Sequence, residues 1–197
     1  ISSIISQYVG ANKLAEIKTL PAQAIAIIVV CSLLVVAVSY PFAKQIFEFY
    51  NASGQVLAYC ITYFKIRVFG FPFSLFVFAI FGIFRGLQNT FYPMIIAIIG
   101  ALLNIVLDLA FVYGIEGFIE PMYIEGAAYA SVIAQITMAI LSILLLIKKT
   151  DISLKIETKL HQEIPKLLGM IGNLFIRTIA LNTALYFATA YATGYGK

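Results

Sequence analysis

The sequence has little charge, no tryptophan and only two cysteines. Charged residues make up 11% of its 197 positions and hydrophobic residues 62%. A soluble domain has about 25% charged and about 45–50% apolar residues. A chain this apolar would expose large hydrophobic patches in water, and the same composition excludes an intrinsically disordered protein. The composition therefore predicts a membrane protein.

The cysteines and the one histidine indicate no catalytic or redox centre. Cys31 and Cys60 lie in or beside apolar segments, where cysteine usually serves as a small buried hydrophobic residue. His161 falls in the most polar segment, where we expect it to be solvated. The sequence has no phosphate-binding glycine loop and no serine–histidine or paired-acid arrangement within an apolar run. We therefore expect no enzyme and no cofactor, and the dispersed net charge of +4 does not indicate nucleic acid binding.

Runs without charge predict the membrane spans. A helix needs about 20 apolar residues to cross the hydrocarbon core. We predict an all-α, polytopic membrane protein whose residues 1–147 form one helical bundle. Residues 1–9 are interpreted as the end of an earlier helix, residues 148–166 as a polar linker, and residues 167–197 as a last, truncated helix. The four spans of the bundle are expected at about 20–43, 68–84, 90–113 and 124–147.

Lysine and arginine predict the orientation, because basic residues favour the cytoplasmic side. The side that carries the linker holds eight of them, so we expect it to be cytoplasmic. Lys65 and Arg67, on the opposite side, are expected at the edge of their span with their charged ends at the outer interface. The eight are Lys13, Lys18, Arg85, Lys148, Lys149, Lys155, Lys159 and Lys166.

Asp108 is the only acidic residue in the interior of a predicted span, since Glu125 is the second residue of the span at 124–147. A charged side chain at the centre of a bilayer costs roughly 2.5–3.5 kcal/mol on insertion scales, and such residues usually bind ions, relay protons or contact substrates. Asp108 lies about 8 Å from the outer end of its span at 1.5 Å per residue. A structural acid, paired with a neighbouring helix or hydrated near the interface, is the alternative.

Small and polar residues accompany Asp108 on two neighbouring spans. Asn104 and Gly100 precede it at four-residue spacing, so the three lie on one face of a helix. In the next span Ser131 and Gln135 flank a stripe of small residues, a pattern typical of close helix packing. Ser131 lies about 10 Å from the outer end of its helix, close to the depth of Asp108. Asn104, Asp108 and Ser131 are therefore predicted to meet.

Oxygen ligands of this kind, above all Asp108 and Asn104, suit Na⁺, and a carboxylate within the bilayer also suits a proton. Interhelical hydrogen bonding is the alternative role for Asn104. Pro72 follows Gly70 inside a predicted span and should bend it, as membrane helices tolerate. We therefore predict Asp108, Asn104 and Ser131 as a cation-binding site, and Gly100, Gly70, Pro72 and Gln135 as cavity or hinge residues.

Five segments, in order along the chain, resemble the multidrug and toxic compound extrusion (MATE) transporters, especially their DinF-like branch. The segment FRGLQNTFYPM resembles the loop between the fourth and fifth helices of that family, and the Asn104-x-x-x-Asp108 pattern its fifth helix. GAAYASVIAQ resembles the start of the sixth helix, IISQYVGA the end of the second and NLFIRTIAL the start of the seventh.

The resemblance implies a fold of two six-helix lobes, of which this chain covers the end of the second helix through the seventh. Residues 1–147 would belong to the N-terminal lobe, residues 148–166 would form the cytoplasmic linker between lobes, and residues 167–197 would begin the second lobe. The family's cation site would map onto Asn104, Asp108 and Ser131, the last where the family often has threonine. An aspartate of the first helix, before Ile1, would join them.

The resemblance also implies a function. We expect an antiporter of the bacterial inner membrane that exports small organic cations or drugs in exchange for Na⁺ or H⁺, with membrane lipid and the second lobe as its partners. One alternative is a flippase of lipid-linked precursors, which would need basic residues in its cavity; Lys65, Arg67 and Arg177 are all expected at span edges. The other is a non-transporting, truncated membrane protein.

Overall fold

The computed structural model describes residues 1–50, 52–152, 154 and 161–194, and this part of the chain is predominantly helical. The helices are α1 Ser2–Gly10, α2 Leu20–Ser39, α3 Ala43–Phe49, α4 Gly54–Arg67, α5 Phe71–Gly86, α6 Phe91–Val112, α7 Tyr123–Lys149 and α8 Ile164–Gly194.

Five helical segments of the described chain are long and apolar enough to cross a membrane. The chain is therefore an integral, multi-pass membrane protein, which confirms the prediction of a polytopic all-α fold. The five segments are Leu14–Ser39, Gly54–Gly86, Phe91–Val112, Tyr123–Lys149 and Ile164–Leu185.

The span predicted at 68–84 matches only the C-terminal half of a helical segment of 33 residues, Gly54–Gly86. Lys65 and Arg67 end α4 and lie inside this helical segment, which at about 50 Å is longer than the hydrocarbon core of about 30 Å. Their place at the outer interface therefore stays a prediction. A count of uncharged residues stops at a charge, whereas backbone hydrogen bonds continue a helix through it. Arg67 lies about 20 Å from one end of the segment and about 28 Å from the other at 1.5 Å per residue.

A short 3₁₀ turn, Val68–Gly70, separates α4 from α5 within this long segment. Pro72 lies in the first turn of α5. Proline has no N–H, and its ring crowds the carbonyl four residues earlier, which is that of Val68. The Val68 carbonyl accepts instead from the N–H of Phe71. The α-helix is therefore interrupted beside Gly70 and Pro72, and their role as a hinge stays a prediction.

Helices α6 and α7 pack closely along the faces that carry the small and polar residues described in the sequence. At one end, a Cβ added to Gly126 would lie 2.6 Å from the backbone oxygen of Phe111. Further along the pair, a Cβ added to Gly100 would collide with the Met138 side chain. Glycine at both positions lets the two backbones approach. Asn104 and Asp108 follow Gly100 at intervals of four residues, so they share its face of α6, which packs on α7.

Residues 1–157 form one compact unit and residues 158–197 a second one. In the first unit, α1 packs on the C-terminal end of α5, where Ile4, Ile5 and Phe84 are fully or almost fully buried. The second unit contributes α8. The predicted linker at 148–166 includes residues 153 and 155–160, which lie outside the described part of the chain.

Candidate functional site

The predicted site residues on α6 and α7 are half-buried polar side chains within membrane-spanning helices. Asp108 Oδ1, Asn104 Nδ2 and Gln135 Oε1 are each buried and have no hydrogen-bond partner among the described residues. Buried polar atoms are nearly always paired, and an unpaired one costs about 1–3 kcal/mol. Each of these atoms therefore indicates a position where a further group, either an ion or another polar side chain, completes the bonding.

A cavity of about 310 Å³ lies between α5, α6 and α7. It brings together four of the residues singled out in the sequence, which are Gly100, Asn104, Ser131 and Gln135. Asp108 does not line this cavity; it lies one helical turn beyond Asn104, towards the Val112 end of α6. The cavity is also lined by Arg67, Ser74, Val77, Phe78, Phe81, Ala97, Ala101, Ala134 and Met138.

The two predicted hinge residues, Gly70 and Pro72, have different neighbours in the structure. Gly70 lies directly against Gln135, and a Cβ at this glycine would collide with Gln135 Oε1 and come within 3.2 Å of Val132 Cγ2. Pro72 lines a different cavity of about 410 Å³ between α2, α5 and α7, which is formed by apolar residues. Gly70 thus lies against Gln135, which lines the 310 Å³ cavity, whereas Pro72 lines the apolar cavity.

The residues present fit a small cation at the α6 position. The Asp108 carboxylate supplies a buried, unpaired oxygen, and a half-turn of the Asn104 amide would exchange its nitrogen for an oxygen at the same place. Carboxylate and amide oxygens are ligands that hard cations prefer. The roles of Asp108, Asn104 and Ser131 in cation binding stay predictions.

The family of the chain follows from comparison with known proteins. The family model called MatE matches residues 1–110, which is more than half of the chain. This chain belongs to the MatE family. Membership confirms the resemblance to the MATE transporters, while the DinF-like branch stays a prediction.

Relatives of this MatE chain include a protein named for multidrug export. It is 25% identical over 183 residues to multidrug export protein MepA of Staphylococcus aureus, which covers 93% of this chain and 39% of MepA. It is 37% identical over 100 residues to Protein DETOXIFICATION 43 of Arabidopsis thaliana, which covers 51% of this chain and 18% of that protein. The chain thus spans about two fifths of the length of MepA.

A solved structure shares the fold. The Vibrio cholerae MATE transporter VcmN in its bent form superposes on the whole of this chain and on 44% of VcmN, with a TM-score of 0.87 and 20% sequence identity. The chain therefore has the fold of part of a MATE transporter.

Arg67 lines cavities of the MatE chain, although it was not among the predicted cavity residues. Its side chain lines the 310 Å³ cavity and also a second cavity of about 450 Å³, and Ser74 and Gln135 line both as well. Arg67, Gly70 and Ser74 follow one another at spacings of three and four residues, which places them on one helix face. That spacing is the feature of the sequence that could have grouped Arg67 with Gly70 and Ser74. The prediction used only the charge of Arg67, which ends the uncharged run of the span.

Proposed function

We propose that this MatE chain is part of a secondary antiporter that exports organic cations in exchange for Na⁺ or H⁺ across a bacterial inner membrane. The observation that carries the proposal is the buried, unpaired carboxylate oxygen of Asp108 one turn from the unpaired amide of Asn104, both within a membrane-spanning helix. An intramembrane acid without a partner among the described residues marks an ion or proton path.

The ion gradient would supply the energy of export. Moving one unit charge across 100 mV releases about 2.3 kcal/mol. Binding of the ion at Asp108 and Asn104 would favour the conformation of this lobe that releases the substrate, because a ligand shifts an equilibrium by its difference in affinity for the two states. The second lobe, joined through the segment between α7 and α8, would complete the central cleft and rock against this one.

The name of MepA as a multidrug export protein supports the substrate class. So do the phenylalanines that line the cavities, since aromatic faces attract organic cations. A flippase of lipid-linked precursors has one observation in its favour, the presence of Arg67 in the cavities. A pyrophosphate carries more than one negative charge, and Arg67 is the only basic residue lining these two cavities in the described chain. Export of organic cations therefore remains the better supported function.

We expect cells that express the full-length parent protein to accumulate several-fold less ethidium than cells with an empty vector. Collapse of the proton gradient by a protonophore should abolish the difference if H⁺ is the coupling ion, and replacement of Na⁺ by choline should abolish it if Na⁺ is. Ethidium fluorescence in cells measures both. Equal accumulation with and without the protein, at verified membrane expression, would refute a cation substrate.

We expect Gly70→Ala to reduce ethidium export a few-fold without loss of folded protein. The added Cβ displaces the Gln135 amide, and because that amide is the end of a flexible side chain it moves into the cavity at little cost in stability. Gly82→Ala, in α5 of the same long segment and with no atom nearer than 4.0 Å to the new Cβ, is the matched control.

The double variant Gly70→Ala/Gln135→Ala tests the cause. If Gly70→Ala acts by moving the Gln135 amide, the double variant exports ethidium as well as Gln135→Ala alone, since two changes that act through one side chain are not additive. Fully additive losses would show that Gly70 acts in another way.

A further inference from the structure

The apolar cavity of about 410 Å³ between α2, α5 and α7 shares no lining residue with either cavity that Arg67 lines. All nine residues that line it in the described chain are apolar. Ala139 is buried in its wall, whereas Leu33 and Ile140 are each 53% exposed at the surface of the first unit. The cavity is therefore a groove that is open at one edge, where Leu33 and Ile140 meet the surroundings of this unit.

The lining residues place this groove near the middle of the bilayer. Val29 and Ile136 are at the middle of α2 and α7, and Phe73 is close to the middle of the segment Gly54–Gly86. The hydrocarbon core is about 30 Å thick, so its midplane is about 15 Å from the headgroup region on either side. Water does not enter an apolar cavity, and an empty one costs stability. At this depth the bilayer supplies the ends of lipid acyl chains.

From this position and lining we infer that the groove binds one acyl chain of a membrane phospholipid. The chain packs on Pro72 and Phe73, which lie in the first turn of α5 directly after the 3₁₀ turn Val68–Gly70. The α-helix is interrupted at that turn, so the dispersion contacts of a bound chain stabilise the long segment where its own hydrogen bonding is irregular. The inference does not depend on the proposed export function.

The length of the acyl chain, and not the headgroup, should decide binding. No charged residue of the described chain lines the groove, and the headgroups are about 15 Å away. A palmitoyl chain reaches the midplane, whereas an octanoyl chain ends well short of it. We expect dipalmitoyl phosphatidylglycerol and dipalmitoyl phosphatidylethanolamine each to raise the unfolding temperature of the delipidated, full-length parent protein in detergent by several degrees. Dioctanoyl phosphatidylglycerol should leave that temperature unchanged.

A photoreactive lipid locates the bound chain. The probe is a phosphatidylglycerol with a diazirine at the end of one palmitoyl chain, added in small molar excess to the delipidated, full-length parent protein in detergent. After irradiation, mass spectrometry of peptides measures where the chain end was attached. We expect the peptides of α2, α5 and α7 around the groove to carry several-fold more label than the face of α6 with Leu102 and Val106, which is apolar and exposed but has no groove.

Two substitutions at one residue test whether the label depends on the groove. Ala139→Leu and Ala139→Phe place added carbon atoms in the open space beside Ala139, so they should lower the labelling of these peptides several-fold, the larger side chain more. Both should also reduce the rise in unfolding temperature that palmitoyl lipids cause. Leu102→Phe adds bulk to an exposed face of α6 and is the matched control, which should change neither measurement. Normal elution on size exclusion verifies that each variant is folded.

Four results would overturn the lipid site. They are equal labelling of α6 and the groove, groove labelling that Ala139→Leu does not reduce in folded protein, displacement of the label by ethidium, and no label at the groove. Displacement would assign the groove to the substrate, and absence of label would show that another part of the full-length protein fills it. Ethidium export judges the proposed function separately, since export can fail while the labelling stands and the labelling can fail while export continues.

Discussion

Asp108→Asn is expected to raise ethidium accumulation to the level of cells without the transporter, a loss of well over tenfold in export rate. Asparagine keeps the size and most of the hydrogen-bonding capacity of the side chain but removes its charge. A unit charge pair at 4 Å interacts by about 4 kcal/mol at the effective dielectric constant of a protein near its surface. Asparagine lacks both that attraction for Na⁺ and a titratable carboxyl group, so the proposed site at Asp108 would hold neither Na⁺ nor an exchangeable proton.

The control for this variant is the same change at an acid outside the site. Glu116 and Glu120 are exposed in the loop between α6 and α7, and Glu116→Gln and Glu120→Gln should leave export unchanged. Asp108→Glu keeps the charge and should retain part of the activity. Export by Asp108→Asn at the wild-type rate, with equal protein in the membrane, would make Asp108 a structural residue and refute its coupling role.

Gly126→Ala is expected to lower the stability of the first unit. The new Cβ would lie 2.6 Å from the Phe111 backbone oxygen, and backbone yields less readily than a side chain. That oxygen also accepts a hydrogen bond of 2.8 Å from the Met122 N–H, so α6 cannot move away without straining the turn between the two helices. Overpacking of this kind costs about 1–3 kcal/mol.

The midpoint of thermal unfolding of the full-length parent protein, followed by size exclusion after heating, measures the effect. We expect Gly126→Ala to lower it by several degrees. Gly10→Ala, also in a helix but with open space around the new Cβ, should leave it unchanged or raise it, since alanine favours a helix by about 1 kcal/mol over glycine. An unfolding temperature for Gly126→Ala at or above that of the wild type would contradict the close approach of α6 and α7.

Properties that depend on neighbours along the chain were accessible from the sequence. The need to cross a bilayer is met by about 20 apolar residues in succession, so composition and uncharged runs sufficed for the class of protein and for the number of spans. The shared face of Asn104 and Asp108 follows from helical periodicity alone. Ordered short segments sufficed for the family. Each of these features depends only on the order of residues along the chain.

Arg67 shows what such reasoning does not reach. Its charge ends an uncharged run, and nothing in that run indicates that its side chain lines two cavities. Whether a charged residue in a helix faces an interface or an interior cavity depends on what packs beside it. The cavities beside Arg67 become visible only when α7 is in place, with Gln135 packed against Gly70.

The sequence by itself determined that the protein is a multi-span helical membrane protein of the MATE type, and that one acid, Asp108, lies in a span beside an asparagine. The tertiary structure decided which residues share a cavity: Asn104, Ser131 and Gln135 line it with Arg67, while Asp108 lies one turn away. The physical reason is that the rotation of each helix about its axis is decided by packing. Gly100 against Met138 and Gly126 against Phe111 orient α6 on α7, and such contacts join residues far apart in the chain.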